Sequence, residues 1–231
     1  MSTFTYKLIR SAGWPFFWVS TRPTFLHRER ARMAGGYILA ANHLSPYDVP
    51  CLMAASPRDL DFVSIVEMRR KPLVRMLFTA MNAVFLDRGR VDAATTRQVL
   101  RKLAAGRVVA MFPEGGIRRE HESVLAGGPI NPGVAKLAQA ARVPIVPCAI
   151  LDSGVMSRFT SWLPTKSARY GVAFGEPVTV GTGPDEHAAR TDVIDTLRAR
   201  YRALYLELCT AMRREALPVA GPAGSAVSAH Q

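Results

Sequence analysis

The sequence has few cysteines and lacks long apolar runs. Its three cysteines stand far apart within apolar stretches, at positions 51, 148 and 209. This spacing fits no metal site, so we expect reduced, buried thiols in a cytosolic compartment. No apolar run reaches the ~18 residues of a membrane-spanning helix, and no signal peptide with a cleavage site is evident. These absences predict a protein that does not cross a membrane.

Acidic residues are also scarce, which leaves a large excess of positive charge. The chain has 30 Lys and Arg against 18 Asp and Glu, a net charge of +12 and a pI near 10.3. Such an excess favours an anionic partner, which is nucleic acid, an acidic membrane surface or a phosphorylated substrate. The basic residues are scattered, without a helix-turn-helix or RNP-like pattern, so we expect no nucleic-acid partner.

The first 28 residues contain no acidic residue, and seven aromatic residues lie within the first 25. Aromatic rings beside cations suit the headgroup region of an anionic bilayer. A helix folded over the core, with arginines reaching water, fits the same composition. We therefore divide the chain into an N-terminal segment, 1–30, which binds a membrane or covers the core, a main domain, 31–216, and a disordered tail, 217–231, rich in Ala, Gly, Ser and Pro.

Apolar segments of strand length alternate with helical patterns along the main domain. Strands are predicted at 36–40, 61–66, 83–86, 108–112, 145–150 and 170–174. Helices are predicted at 49–55, 73–81, 92–105, 133–141 and 186–215. Because each strand is almost continuously apolar, we predict an α/β fold with a largely parallel central sheet flanked by helices on both faces.

A histidine and a carboxylate follow the first of these strands. His43 lies just beyond residues 36–40, and Ser45-Pro46 is typical of a helix start, which brings Asp48 near the helix terminus. A carboxylate in this position can hold the imidazole in one tautomer. The other ring nitrogen is then free to take a proton from a substrate hydroxyl.

Two further strand ends carry polar groups. Arg88 follows residues 83–86, and its planar guanidinium can bind two phosphate oxygens. Glu114 follows residues 108–112 and precedes two glycines that let the backbone approach an anion closely. Because parallel strands end at one edge of a sheet, these groups are expected to share a pocket with His43. The combination suits transfer to an alcohol on a phosphorylated acceptor.

Four motifs in order resemble those of the glycerolipid acyltransferases, the family of 1-acylglycerol-3-phosphate acyltransferase. Residues 43–48 match the HxxxxD motif, and Phe-Leu-Asp-Arg at 85–88 resembles the second motif. Phe-Pro-Glu-Gly at 112–115 matches the third, and Val-Pro-Ile-Val-Pro at 143–147 resembles the fourth. The resemblance implies an acyltransferase domain over residues 31–216 and identifies His43 as general base, oriented by Asp48. It implies substrate-binding roles for Asn42, Arg88, Glu114, Gly115, Gly116 and Arg118.

The resemblance also implies a reaction and its surroundings. A fatty acyl group passes from acyl-CoA or acyl-carrier protein to the hydroxyl of a lysophospholipid, with 1-acylglycerol-3-phosphate, giving phosphatidic acid, as the first candidate. No metal and no bound cofactor are expected. The expected location is peripheral, on an anionic membrane surface at the cytoplasmic face.

The chain departs from the family pattern in the motifs that are expected to bind the acceptor. The third motif of the family usually continues with Thr-Arg, where this chain has Gly116-Ile117, and the second usually opens with glycine, where it has Asn82. Arg118 can compensate for the displaced arginine. A different lysophospholipid, an ornithine-type lipid or a glycolipid therefore stays open as acceptor, as does a non-catalytic lipid-binding protein. No Gly-x-Ser-x-Gly elbow is present, which excludes an α/β-hydrolase.

Overall fold

A computed structural model describes residues 17–65, 84–86, 93–164, 168–181 and 185–218. The strands in these ranges are β1 Thr21–Leu26, β2 Tyr37–Ala41, β3 Leu60–Ile65, β4 Val84–Leu86, β5 Val108–Met111, β6 Ile145–Leu151 and β7 Ala168–Phe174. The α-helices are α1 Asp48–Ala55, α2 Ala93–Ala104, α3 Gly133–Ala141 and α4 Glu186–Met212. Short 3-10 helices lie at Arg28–Arg32, Glu120–Glu122, Val124–Ala126, Ser153–Ser157 and Phe159–Trp162. The helix predicted at 73–81 lies outside the described residues.

The strands form one sheet in the order β1-β7-β6-β2-β5-β3-β4. Every pairing is parallel except that of β6 with β7, which is antiparallel. The predicted α/β class with a largely parallel sheet is confirmed. β7 is antiparallel to β6, and β1 is parallel to β7. Both β1 and β7 therefore begin at the side of the sheet at which the parallel strands β2 and β6 end. We call this side of the sheet the carboxyl edge.

Helices cover both faces of the sheet, which explains why the central strands are apolar throughout. In β2, Ile38 and Ala40 pack with α2, α3 and α4, whereas Tyr37, Leu39 and Ala41 pack with α1 on the opposite face. All five side chains are fully buried. Neither face of β2 therefore tolerates a polar residue, as expected for a parallel strand at the centre of a sheet.

The edge strand β1 lies within the segment 1–30, and the sequence analysis did not predict it. Its apolar pattern is interrupted by Arg22 and Pro23, and proline is accepted in an edge strand because one side of the ladder is open. The ring of Phe25 packs edge-on against that of Tyr170, with the centroids 6.1 Å apart. The sheet thus begins before the boundary that we placed at residue 30.

The helix α4 crosses one face of the sheet and ends earlier than predicted. Arg213 adopts a left-handed conformation, with φ of 55°, and closes the helix at Met212. Tyr201 donates a hydrogen bond of 2.9 Å to the carbonyl oxygen of Ala40, which ties the helix to the end of β2. Leu217, at the start of the predicted tail, is held by its amide to the Tyr205 hydroxyl at 2.8 Å. Among the described residues, no helix combines the length and apolar character needed to cross a bilayer.

The residue before β2 has no room for a side chain, and this yields a test of the packing. A Cβ on Gly36 would lie 2.1 Å from the carbonyl oxygen of Leu103, near the end of α2. We expect Gly36→Ala to lower the free energy of unfolding by about 2 kcal/mol or more, because backbone on both sides must move. Urea denaturation measures the change. Gly181→Ala is the matched control, since its nearest contact would be 3.9 Å away; equal effects of the two substitutions would contradict the packing.

Candidate active site

The predicted histidine and carboxylate meet at the carboxyl edge. β2 ends at Ala41, His43 follows in the turn, and Asp48 begins α1. The Nδ1 atom of His43 lies 2.8 Å from Oδ2 of Asp48. Asp48 is fully buried, whereas the His43 side chain is 17% exposed. A carboxylate only accepts hydrogen bonds, so Nδ1 carries the proton and Nε2 is the ring nitrogen left for a substrate.

The same carboxylate holds the whole turn. Oδ2 of Asp48 accepts hydrogen bonds from the amides of Leu44, at 2.7 Å, and Ser45, at 2.9 Å. Its Oδ1 accepts a hydrogen bond from the Ser153 hydroxyl, which comes from the segment after β6. Four donors thus converge on one buried side chain. Asp48 cannot rotate without breaking several hydrogen bonds, so the imidazole is held in a fixed orientation.

The third sequence motif supports the histidine from the neighbouring strand. Phe112 follows β5, and its ring is stacked on the imidazole of His43 with centroids 4.0 Å apart and planes 15° apart. The stacking is a consequence of the β2–β5 register, which places Ala40 beside Met111. The ring contact restricts the imidazole on one side, while Asp48 restricts it at Nδ1.

Glu114 lies behind the turn rather than in the open site. Its Oε2 accepts a hydrogen bond of 2.5 Å from the His43 amide, and its Oε1 accepts bonds of 2.5 Å from the Ser123 hydroxyl and 2.8 Å from the Val124 amide. Burial raises the pKa of Glu114 above its usual value, while these hydrogen bonds and the nearby His43 oppose the rise. We predicted a substrate contact for Glu114. With both oxygens engaged by protein donors, it is placed as a positioning residue.

Asn42 is also engaged inside the protein. Its side-chain amide donates to the carbonyl oxygen of Ile150 at 2.9 Å, and its Oδ1 accepts from the Ile150 amide at 2.6 Å. Asn42 is fully buried. Its side chain thus continues the hydrogen bonding between β2 and β6, and the substrate contact predicted for Asn42 stays a prediction.

The glycines of the third motif shape the loop that returns Arg118 to the site. Gly115 has φ of +70°, a conformation that favours glycine, and Gly116 follows in the turn. The amide of Arg118 donates a hydrogen bond of 2.8 Å to the carbonyl oxygen of His43. The exposed side chain of Arg118 therefore starts beside the His43 turn, and its predicted substrate contact stays a prediction. Arg88 lies outside the described residues, and its predicted phosphate contact stays a prediction.

A cleft of about 590 Å³ opens beside the histidine turn. It is lined by Leu44, Ile117, Arg118, Arg119, Glu120, Glu122, Asp152, Ser153 and Gly154. Leu44 and Ser153 connect it to the His43–Asp48 pair, because one follows His43 and the other binds Asp48. The cleft presents charges of both signs, so it can accommodate a polar head group with a negative part and a positive part.

Sequence reasoning missed the residues that fix the wall of this cleft. Tyr205 donates a hydrogen bond of 2.7 Å to Oε1 of Glu120, and the Arg214 guanidinium binds Oε2 of the same carboxylate. Nη1 of Arg214 lies 3.5 Å from Oδ1 of Asp152. No local signal marks these residues or Ser153, since they come from α4 and from a stretch, 151–169, that the sequence presents as an irregular surface excursion.

The described residues contain no group of three or more His, Cys, Asp or Glu side chains that could hold a metal ion. Cys51 and Cys148 are buried near the site, and burial together with the Asp48 charge raises the pKa of both thiols well above its usual value. A thiol with a raised pKa is a poor nucleophile. Direct transfer between substrates therefore fits the site better than a cysteine-bound intermediate.

The buried position of Glu114 predicts a pH effect on stability. A carboxyl group whose pKa is raised above 4.5 in the folded protein binds its proton more tightly there than in the unfolded chain. The unfolding free energy of the wild type, relative to Glu114→Gln, should therefore fall as the pH rises from about 4.5 through the folded-state pKa. Urea unfolding of both proteins across this range measures the difference. A difference that grows with pH would show that the three hydrogen bonds stabilise the ionised Glu114 by more than its desolvation destabilises it.

Comparison with known proteins identifies relatives among lipid enzymes. The chain is 35% identical over 102 residues to the lyso-ornithine lipid O-acyltransferase of Pseudomonas aeruginosa, a match that covers 41% of this chain and 38% of that protein. It is 28% identical over 123 residues to the 1-acyl-sn-glycerol-3-phosphate acyltransferase of Saccharomyces cerevisiae, covering 52% and 40% respectively. The chain thus spans about two fifths of the length of these curated relatives.

A solved structure and a family model extend the comparison. The crystal structure of the 1-acyl-sn-glycerophosphate acyltransferase PlsC of Thermotoga maritima superposes with a TM-score of 0.64 and 22% identity, over 86% of this chain and 79% of that one. At this identity the match shows the fold. The model of the family described as Acyltransferase matches residues 22–151, which include β2, the His43–Asp48 pair and the Glu114 loop. The chain therefore belongs to the acyltransferase family.

Proposed function

We propose that this protein is an O-acyltransferase that moves a fatty acyl group from a thioester donor, acyl-CoA or acyl-carrier protein, to the hydroxyl of a lysolipid. The observation that carries the proposal is the His43–Asp48 pair, with Nδ1 of His43 2.8 Å from Asp48 and with Leu44, the next residue in the turn, lining an open cleft. Because the chain belongs to the acyltransferase family, we assign acyl transfer to this pair.

The proposed mechanism is direct attack by the acceptor. Nε2 of His43 takes the proton of the acceptor hydroxyl while its oxygen attacks the thioester carbonyl carbon. The tetrahedral intermediate expels the donor thiolate, which recovers the proton from the imidazolium. The buried Asp48 carboxylate stabilises the imidazolium that exists between these steps. An ester bond forms and a thioester bond breaks, without a covalent link to the protein.

The first candidate acceptor is 1-acylglycerol-3-phosphate, which gives phosphatidic acid. Its support is the similarity to the yeast 1-acyl-sn-glycerol-3-phosphate acyltransferase and the presence of Arg118 and Arg119 in the cleft beside the histidine turn. Two guanidinium groups suit a phosphate because each can donate two hydrogen bonds. We further propose that the protein works as a peripheral protein at the cytoplasmic face of a membrane, where lysolipids reside.

A second candidate acceptor is a lyso-ornithine lipid. An ornithine head group carries an ammonium and a carboxylate, and the cleft offers Glu122 and Asp152 as well as Arg118 and Arg119. A phosphate alone leaves those carboxylates without a partner on the lipid. The relative from Pseudomonas aeruginosa, which is 35% identical over the matched region, carries that activity in its name.

Replacing the proposed base tests the mechanism. His43→Ala should lower turnover by about 10²–10⁴-fold, because the acceptor hydroxyl loses its general base. Transfer of a labelled acyl group from acyl-CoA to a panel of lysolipids measures this, with His187→Ala, at an exposed position of α4, as the matched control. Circular dichroism checks that both variants fold. Turnover unchanged by His43→Ala would contradict the mechanism.

Removing one negative charge from the cleft tests the choice of acceptor. Glu122→Gln should raise the KM for a lyso-ornithine lipid about two- to fivefold, the size expected for an exposed ion pair. The KM for 1-acylglycerol-3-phosphate should stay the same or fall, since a carboxylate near its phosphate is lost. Glu29→Gln, with a similarly exposed carboxylate outside the cleft, is the control. Equal rises for both acceptors would contradict recognition of an ammonium by Glu122.

A further inference from the structure

Two short helical segments bring four exposed apolar side chains together at the carboxyl edge. One segment is residues 17–20, and the other is the 3-10 helix Phe159–Trp162 with the next residue. The exposed fractions are 81% for Phe159, 56% for Trp18, 44% for Val19 and 40% for Leu163. We call these four side chains the apolar rim. Large apolar side chains exposed in one place are typical of an interaction site.

Internal contacts hold the two segments of the rim against each other. The Ser20 hydroxyl donates a hydrogen bond of 3.2 Å to the carbonyl oxygen of Trp162. The rings of Phe17 and Trp162 pack edge to face with centroids 6.4 Å apart. The inward residues Phe17 and Trp162 thus anchor the two segments that carry the rim.

The apolar rim borders the catalytic turn. The ring of Trp162 lies 6.3 Å from that of Tyr47, which stands between His43 and Asp48 in the sequence. The segment that leads to Phe159 begins with Ser153, the residue that donates to Asp48. A partner that covers the rim would therefore lie next to the entrance of the proposed active site.

Positive charge lies next to the apolar rim. Arg158 is exposed and directly precedes Phe159. No acidic residue occurs in 1–28 or in 153–175, the two stretches that supply the rim and this arginine. Arg22 of β1 and Arg169 of β7, partners in the strand register, are also exposed, but they project from the α4 face of the sheet and not from the face on which Phe17 packs.

We propose that the apolar rim, with Arg158, is a docking surface for a lipid bilayer that contains anionic lipids. Tryptophan, phenylalanine and leucine side chains enter the boundary between headgroups and acyl chains, and Arg158 binds a phosphate beside them. Such docking places the His43–Asp48 turn at the lipid surface, where a lysolipid can present its hydroxyl. An acidic carrier protein would account for Arg158 but not for a phenylalanine that is 81% exposed.

This inference rests on the proposed function, because it describes how the site reaches a lipid acceptor. Lipid binding is measured without turnover, so the docking surface and the proposed function can fail independently. The full-chain protein is sedimented with vesicles of phosphatidylcholine mixed with phosphatidylglycerol and with vesicles of phosphatidylcholine alone. Phe159→Ser with Leu163→Ser should lower the partition coefficient at least tenfold, because two inserted apolar side chains are lost. Leu206→Ser, at an exposed leucine of α4, is the matched control and should bind as the wild type does.

The charge of the surface is tested separately. Arg158→Gln should weaken binding to the anionic vesicles and reduce its dependence on salt. Arg200→Gln, at an exposed arginine of α4, is the control. Unaltered salt dependence in the Arg158→Gln variant would overturn the electrostatic part of the surface.

Four outcomes distinguish a lipid-docking surface from the alternatives. Wild-type partitioning of the Phe159→Ser, Leu163→Ser variant overturns the docking surface, and so does a defect confined to binding an acidic acyl carrier protein. The same variant should transfer acyl groups normally to a short-chain lysolipid kept below its aggregation concentration; reduced transfer there would make the rim part of the substrate pocket. If the wild type transfers to no acceptor but still needs Phe159 to bind vesicles, the surface stands and the proposed function fails.

Discussion

The buried carboxylate of Asp48 is the constraint on which the rest of the site depends. It accepts hydrogen bonds from the imidazole of His43, from two amides of the turn and from the hydroxyl of Ser153. An ionised side chain that is fully buried is stable only with such a set of donors. The requirement ties together three parts of the chain, which are the end of β2, the start of α1 and the segment after β6. The orientation of the proposed base is thus part of the stability of the fold.

A second buried carboxylate, that of Glu114, also holds the histidine turn in place. Glu114 joins the His43 amide to Ser123 and Val124, and the loop between them carries Arg118 back to the histidine turn. The outer wall of the cleft is fixed in turn by Glu120, which binds Tyr205 and Arg214 at the end of α4. Buried carboxylates therefore organise the interior of a strongly basic protein.

Sheet topology brings the base, the cleft and the apolar rim to one side of the molecule. In a purely parallel sheet the strands that precede and follow the site would begin at the opposite edge. Because β7 is antiparallel to β6 and β1 is parallel to β7, residues 17–22, 158–164 and 168–169 lie at the edge of the sheet at which His43 lies. One reversal in strand direction thus places the apolar rim and the His43–Asp48 turn at the same edge.

The sequence by itself determined the local features. Continuously apolar segments predicted β2, β5 and β6 close to their observed limits, because burial on both faces of a sheet leaves no position for a polar residue. The spacing of His43 and Asp48 across a helix start predicted their contact, and the glycine at 115 matched a left-handed turn. Only the tertiary structure decided which polar residues face inward. Asn42 and Glu114 are used by Ile150, Ser123 and Val124, and Ser153 completes the donors of Asp48 from 105 positions away. A hydrogen bond to a distant partner leaves no periodic or local signal in the sequence, so only the folded chain reveals which side chains hold the His43–Asp48 turn in place.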